Sequence, residues 1–323
     1  MMSVVVPVYK NAENIAPLLD ALSDLSRTLT GGLEVVFVVD GSPDDSYARI
    51  RSRLGELPFA AQLLLLSRNF GSFSAIRAGL SFASGERFAA LAADLQEPPE
   101  LIVEFDRQLK ADACDVVIGT RASRVDPLLS KLASNLFWSL YRRWVQPEIP
   151  KGGVDIFGCS KQVRDELVRL EESNSSLIGL LFWVGFRRQF VAYERRARAI
   201  GVSAWTFARK VRYLSDSVFN FTDLPIRLLF RLGLFGMVAS LVASVIVLGA
   251  KLTGQIPVPG YTPTVLLITF FGALNCLGLG IIGGYAWRTL ENTKQRPNFL
   301  VAARVVFDGD TVHDVLPARP VHR

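Results

Sequence analysis

The chain predicts an α/β protein, a doubly wound and mostly parallel sheet followed by apolar helices. Three observations lead there. Short, continuously apolar runs alternate with helix-period segments from residue 3 to residue 119, the pattern of strands buried on both faces and joined by crossover helices. Polar residues gather directly after those runs, at Asp40, Arg68-Asn69, Asp94 and Arg121, where an open α/β sheet binds its ligands. The chain's hydrophobic excess is concentrated between residues 228 and 287, well beyond the alternating part.

The elements follow in order. Residues 3–8 form an uninterrupted apolar strand. After it Ile15, Leu18, Leu19, Leu22, Leu25 and Leu29 recur at helical spacing, with Asn14 as the expected N-cap. Residues 33–39 are a second buried strand ending in Asp40-Gly41-Ser42. Ser42-Pro43-Asp44-Asp45 then reads as a capping box with Pro at the first helical position. Residues 62–66 are a third strand, and S-R-N-F-G at 67–71 leads into an apolar helix ending near Gly85. Residues 88–92 are the fourth strand, followed by Asp94, Gln96 and a helix beginning at Glu97 or Pro98; residues 116–119 are the fifth. Further on, 128–144 and 160–170 read as helices, with Lys151-Gly152-Gly153-Val154-Asp155 leading into a short apolar strand.

Composition narrows the function classes. The net charge is +6, with arginines prominent around 187–212 and 288–304. Beside apolar spans this bias points to anionic headgroups and a cytoplasmic face, not to nucleic acid. Cys114, Cys159 and Cys276 share no ligand-like spacing, so neither a disulfide framework nor a zinc site is indicated. The N-terminus opens on a strand, so no cleavable signal peptide is expected. His313 and His322 fall in a polar tail expected to be poorly ordered, which excludes a histidine base; any base near neutral pH must be a carboxylate.

From residue 216 the chain changes character. Residues 216–231 suit a helix lying at the membrane interface. Residues 232–252 carry only Lys251 as a charge, and 264–287 carry none; each is long enough to cross a hydrocarbon core of ~30 Å, which takes roughly 20 residues. Arg227 and Arg231 precede the first span, and Arg288, Lys294 and Arg296 follow the second. The positive-inside rule then places both ends in the cytoplasm. The expected organisation is a catalytic domain (1–215), an interfacial helix (216–231), a transmembrane hairpin (232–287) and a basic cytoplasmic tail (288–323).

Taken alone, Asp94 reads equally as a metal or nucleotide-sugar ligand and as a helix cap. Asp40 reads as a ligand-binding carboxylate or as a turn residue before Gly41. Asp155 reads as a functional carboxylate or as one satisfying the Gly152-Gly153 backbone.

The motifs S-V-V-V-P-V-Y-K-N-A-E-N-I, V-V-D-G-S-P-D-D-S, L-S-R-N-F-G-S-F-S-A-I-R-A-G-L and A-D-L-Q-E-P-P-E-L resemble those of inverting glycosyltransferases with the GT-A (nucleotide-diphospho-sugar transferase) fold. Adding D-V-V-I-G-T-R-A-S-R, W-V-G-F-R-R, Y-E-R-R-A-R-A-I-G-V-S and E-N-T-K-Q-R-P-N-F, together with the hairpin, the chain resembles bacterial polyprenyl-phosphate glycosyltransferases, the relatives of dolichol-phosphate mannose synthase. The likeness runs from about residue 3 to residue 299, with the motifs in family order.

That resemblance implies roles. Pro7, Tyr9 and Glu13 would line the nucleotide pocket, Asp40 would accept from the base or ribose, and Gln96 would lie beside the donor sugar or acceptor. Asp94 would hold Mg²⁺ or Mn²⁺ across the donor diphosphate. Asp155 matches the position proposed as catalytic base. Arg121, Arg124, Lys131, Arg195, Arg198 and Ser203 would bind the acceptor phosphate, arginine offering a planar fork matched to its oxygens. Three positions depart from the family: Ala92 replaces the first Asp of D-x-D, Val39 the first of the usual Asp pair before Gly41, and Ala204 the Lys after the G-x-S serine.

The implied function is transfer of one sugar from a UDP- or GDP-linked donor to polyprenyl phosphate, undecaprenyl phosphate in a bacterium. It proceeds with inversion, at the cytoplasmic face of the inner membrane. The partners are the donor, the lipid acceptor and membrane lipids; the resemblance leaves room for a homo-oligomer. The alternative is an inactive homologue serving as a membrane scaffold or regulatory subunit, for which Ala92 and Ala204 speak.

Overall fold

In the computed structural model β1 (Met2–Val8) occupies the centre of a sheet whose strand order is β7-β5-β6-β4-β1-β2-β3-β8-β9. The structure describes residues 1–121, 139, 141–143, 146–150, 154–170, 172, 176–196, 215–219, 221–222, 224–253 and 260–316. By its contacts the chain forms two units: Met1–Tyr213 with Pro297–Arg323, and Leu214–Arg296.

The first five strands fall where the apolar runs place them: β1, β2 (Leu33–Val39), β3 (Ala60–Leu66), β4 (Arg87–Ala90) and β5 (Val116–Arg121). All seven side chains of β2 are buried, because helices cover both faces of a parallel sheet. On one face sits α1 (Ile15–Thr28), whose Ile15, Leu18, Leu19, Leu22 and Leu25 are buried at the expected spacing. The others are α2 (Ser46–Arg53), α3 (Ser72–Phe82), α4 (Glu100–Lys110), α5 (Lys161–Arg169) and α6 (Leu177–Trp183). Full burial of such Leu, Ile and Val side chains contributes roughly 1.5–3 kcal/mol each, so a charge at Leu18 or Val6 would break the core.

The strands β3-β2-β1-β4 pair in parallel, as do β5 and β7 (Arg188–Tyr193). Between them β6 (Phe157–Ser160) runs antiparallel to both β4 and β5. The connections leave β1 toward β2 and β3, then α3 carries the chain back across to β4. The switch point therefore lies beyond the carboxyl ends of β1 and β4, the crevice where such sheets bind ligands. Pro7 is accommodated there: pairing with β4 ends at Val5↔Ala90, so the missing N–H falls beyond the ladder.

Several local expectations are corrected. Asn14 occupies the cap of α1, but its side chain makes no capping bond; a 3₁₀ turn at Ala12–Asn14 precedes it. The second helix starts at Ser46 and not at Pro43. There Asp44 accepts from the amides of Ser46 and Ala12 and from the Ser42 hydroxyl, while Ser42 accepts from the Lys10 amide. The box thus ties the loop after β1 to the loop after β2. The fourth helix begins at Glu100 with Pro99 as cap, three residues later than Glu97.

The largest correction concerns the tail. Residues expected to be poorly ordered form β8 (Val301–Phe307) and β9 (Val312–Leu316), and β8 pairs antiparallel with β3. His313 lies within β9. Arg304 donates to Gln62 Oε1 at 2.9 Å and lies over the Phe82 ring. Gln62 in turn donates to buried Glu34, which also accepts from Ser3 and Ser84. Arg304 is therefore part of the folded sheet and not a headgroup contact. Likewise Arg187 pairs with Asp112 and Asp115, and Arg188 with Glu148.

In the second unit, Leu224–Leu252 forms one helix, α7, and Tyr261–Thr293 forms α8. The end of the expected interfacial segment and the first apolar run are thus parts of one continuous helix. Gly236 faces Phe271, and Gly278 faces Leu229, so small residues let the two helices approach. Among the described residues one stretch, Phe270–Thr293, is long and apolar enough to cross a membrane. Ile268, Phe270, Leu279 and Ile282 are exposed on α8.

Candidate active site

The polar residues singled out from the sequence collect at the carboxyl edge of the sheet for a topological reason. Asp40 follows β2, Asp94 to Glu97 follow β4, Arg121 ends β5, and Tyr193 and Arg195 end and follow β7. Asp155 precedes β6, but β6 runs the other way, so its amino end meets the same edge.

Three groups occupy that edge. In the first, Asp40 is 3% exposed, and its oxygens accept from the amides of Phe70 at 2.7 Å and Gly71 at 2.8 Å. Burial pushes its carboxyl above the usual range, against the two amides and the Arg68 charge, which pull it down. Gly71 needs its φ of +96° to turn its N–H inward. Gly41 has φ +58°, and a Cβ there would lie 2.3 Å from the Arg68 carbonyl carbon. Asp40, expected to accept from the donor base or ribose, holds the 68–71 loop against its own turn through these two amides. Pro7 and Tyr9 are half-buried beside the switch point, and Glu13 is exposed in the turn before α1.

The second group is centred on Asp155. Arg121 donates to both carboxylate oxygens, through Nη2 to Oδ1 at 2.6 Å and through Nε to Oδ2, and the Tyr193 hydroxyl donates to Oδ2 at 3.0 Å. Arg121, expected among the acceptor-phosphate ligands, is joined bidentately to the expected base. Burial, and then the neighbouring Asp155 and Glu97 carboxylates, raises the Tyr193 phenol above its ordinary value.

The third group is the loop after β4. Asp94 is half-buried, and its Oδ1 accepts weakly from the Gln96 amide at 3.4 Å. Gln96 Oε1 accepts from Arg195 Nη2 at 2.7 Å, and the Gln96 carbonyl from the Arg196 amide at 2.9 Å. Glu97 is 1% exposed. Burial first, then the charge of Asp155, pushes its carboxyl up to about 7, against the opposing pull of Arg195.

Asp94, Gln96, Asp155, Arg121 and Arg195 are therefore brought together, and Asp40 is not part of that cluster's bonding. Arg124, Lys131, Arg198 and Ser203 lie outside the described residues. Sequence reasoning missed Glu97 and Tyr193. Glu97 passed for a helix-start residue ahead of two prolines; an acidic residue between a strand-end Gln and Pro-Pro was the available hint. Tyr193 opens the motif Y-E-R-R-A-R-A-I-G-V-S, but nothing in that motif marked its hydroxyl as a partner of Asp155.

The donor set tests the expected metal. Among the described residues no group of three His, Cys, Asp or Glu side chains could hold a metal ion, and Ala92 supplies no oxygen. Asp94 by itself offers carboxylate oxygens that fit a hard divalent cation shared with phosphate oxygens of a substrate, not one held by protein alone.

A family model described as glycosyl transferase family 2 matches residues 3–168. "Putative glycosyltransferase CsbB" of Bacillus subtilis is 32% identical over 93% of this chain and 91% of its own length. The bactoprenol glucosyl transferase of Shigella phage SfX is 28% identical over 94% of this chain and 99% of its own. The structure of glucosyl-3-phosphoglycerate synthase from Mycobacterium tuberculosis, in complex with Mn²⁺, UDP and phosphoglyceric acid, superposes with a TM-score of 0.49. It is 19% identical and covers 67% of this chain and 76% of that one.

Proposed function

Because the chain belongs to glycosyl transferase family 2 and is a glycosyltransferase, we propose that it transfers one sugar from a nucleotide-sugar donor to a polyprenyl phosphate, with inversion, at the cytoplasmic face of the membrane. The observation that carries this reading is the meeting of Asp94, Asp155, Arg121 and Arg195 at the sheet's switch-point edge. The bactoprenol glucosyl transferases, which match over nearly the full length of both chains, support the lipid acceptor.

In this mechanism an oxygen of the lipid phosphate attacks the anomeric carbon on the side opposite the nucleotide diphosphate, and the bond from that carbon to the diphosphate oxygen breaks. Asp94 would hold a Mg²⁺ or Mn²⁺ ion that neutralises charge on the departing diphosphate. A phosphate monoester has a second pKa of about 6 and is already mostly dianionic at pH 7, so no strong base is required. Asp155, with its oxygens accepting from Arg121 and Tyr193, serves mainly to orient the Arg121 fork toward the incoming phosphate. Arg195 supplies a second fork. Arg124, Lys131, Arg198 and Ser203 retain the acceptor-phosphate role implied by the family likeness. Pro7, Tyr9 and Glu13 border the nucleotide end of the crevice, and Asp40 shapes its wall through the 68–71 loop.

The chain's connectivity supports a transmembrane hairpin. It leaves the sheet-bearing unit after Tyr213 and returns to it at Pro297, where β8 pairs with β3. An excursion that begins and ends in one folded unit crosses a membrane an even number of times. On this reading α8 is one crossing and α7 is proposed as the other; its 29 residues reach about 43 Å at 1.5 Å per residue. Both termini then share the cytoplasmic side.

The test is incubation of the purified protein in detergent with undecaprenyl phosphate and a panel of UDP- and GDP-sugars. A lipid-linked monosaccharide from one donor is expected. Sugar transfer only to a non-lipid acceptor, or none across the panel, overturns the reading.

A further inference from the structure

Glu97 is one of several buried side chains among the described residues with a polar atom left without a hydrogen bond, and it is the carboxylate among them. Its Oε2 is buried and has no hydrogen-bond partner. Its Oε1 lies 3.4 Å from Arg195 Nε, and that N–H is also buried without a hydrogen bond. Burying an unsatisfied carboxylate oxygen is costly, so stability alone would favour a glutamine or an apolar side chain here. The carboxylate faces the inner edge of a guanidinium whose other end is anchored: Arg195 Nη2 donates to Gln96 Oε1 at 2.7 Å. The Arg195 side chain keeps 30% of its surface exposed, so it is not closed off from solvent.

We propose that Glu97 is a positioning residue, its buried carboxylate holding the inner edge of Arg195 so that the remaining guanidinium N–H groups present a fixed fork to the acceptor phosphate. A long arginine side chain has many rotamers to lose when it is fixed. Gln96 restrains one nitrogen; a charge behind Nε restrains the plane. The carboxylate also keeps the guanidinium from turning toward the other carboxylates of the edge. This inference rests on the polyprenyl-phosphate reading.

The experiment uses wild type, Glu97→Gln, Arg195→Ala and the double variant, all full-length in detergent. Affinity for farnesyl phosphate is measured by calorimetry, with thermal melting and sugar transfer alongside. Arg195→Ala is expected to weaken binding by about 100-fold and Glu97→Gln by about tenfold. The double variant should bind no worse than Arg195→Ala alone, the non-additivity of residues acting as a unit. Glu97→Gln should melt at or above wild type, because the buried unsatisfied charge is gone, and Glu97→Asp should recover part of the affinity. Additive losses overturn the proposal, as does a Glu97→Gln protein that melts lower but binds like wild type, or a wild type that does not bind the prenyl phosphate. An intact binding cycle without sugar transfer leaves Glu97's role standing and overturns the assigned reaction; transfer with an additive cycle does the reverse.

Discussion

Asp40 and Glu97 stand at the carboxyl edge of the same sheet, at 3% and 1% exposure, and burial raises the carboxyl pKa of both. Their surroundings differ. Asp40 spends its oxygens on the amides of Phe70 and Gly71, and the result is a closed corner. Glu97 keeps one oxygen without a hydrogen bond and faces an arginine across 3.4 Å. Burial and a raised pKa therefore do not by themselves mark a working carboxylate. What separates the two is satisfaction: a buried acceptor whose partners are all backbone builds the fold, and one left short of partners is paid for elsewhere.

The comparison can be broken or sharpened by substitution. The largest effect is expected at Asp94, in the loop that holds Glu97. Asp94→Asn removes the carboxylate proposed for the metal, and transfer should fall by about 10³-fold, in the range for loss of one electrostatic stabiliser of the leaving group. Titrating transfer against Mg²⁺ or Mn²⁺ from a chelated zero point measures it. Full activity in chelator would make Asp94 a cap and nothing more.

Asp155→Asn should lower turnover by about 10²-fold while nucleotide affinity, read by calorimetry, stays near wild type. The loss is kinetic because the change frees the Arg121 fork without touching the donor side. A weakened nucleotide affinity with unchanged turnover would place Asp155 at the donor.

Asp40→Asn should behave in the opposite sense. It sets an N–H₂ group against one of two inward amides and should cost about 2 kcal/mol of stability. The midpoint of chemical unfolding should drop, while transfer per folded molecule changes by no more than about threefold. A stable Asp40→Asn protein with greatly weakened nucleotide binding would return Asp40 to the donor site and dissolve the contrast.

The smallest effect is a pH slope. The Glu97 carboxyl is raised from 4.5 to about 7, so between those values the folded state keeps a proton that the unfolded state has released. Stability must therefore fall as pH rises through this window, and the penalty is complete above it. A loss of order 1 kcal/mol between about pH 5.5 and 7 is expected, read from unfolding midpoints. Glu97→Gln should flatten the slope, leaving only the part of the same sign contributed by Asp40. An unchanged slope in Glu97→Gln would show that Glu97 is ionised throughout and refute its unsatisfied burial.

Much of the fold was legible because its signals are local. The apolar runs at 3–8, 33–39 and 116–119 announce strands buried on both faces, and the spacing from Ile15 to Leu25 announces a covering helix. Capping was less legible. The Ser42–Asp45 box reads as a helix start by residue type, yet its hydroxyl and carboxylate are drawn to the amides of Lys10 and Ala12, more than 30 residues earlier in the chain. The tail was misread for a related reason. Strands β8 and β9 are marginal as isolated sequence, and β8 becomes a strand because the exposed edge of β3 offers it a ladder and Gln62 offers Arg304 an acceptor.

The sequence by itself determined the strand-and-helix order through β5, the placement of Asp40, Asp94 and Arg121 at or after strand ends, and the apolar character of 232–252 and 264–287, because each depends on periodicity and composition within a short window. Tertiary structure alone decided what those residues do to one another. The Arg121–Asp155, Arg195–Gln96 and Arg304–Gln62 contacts span 34, 99 and 242 residues of chain. They exist because β6 runs against its neighbours and because the chain returns to pair β8 with β3. Whether a carboxylate is satisfied depends on donors brought to it by such pairings, and a donor from elsewhere in the chain leaves no mark on the residues beside it.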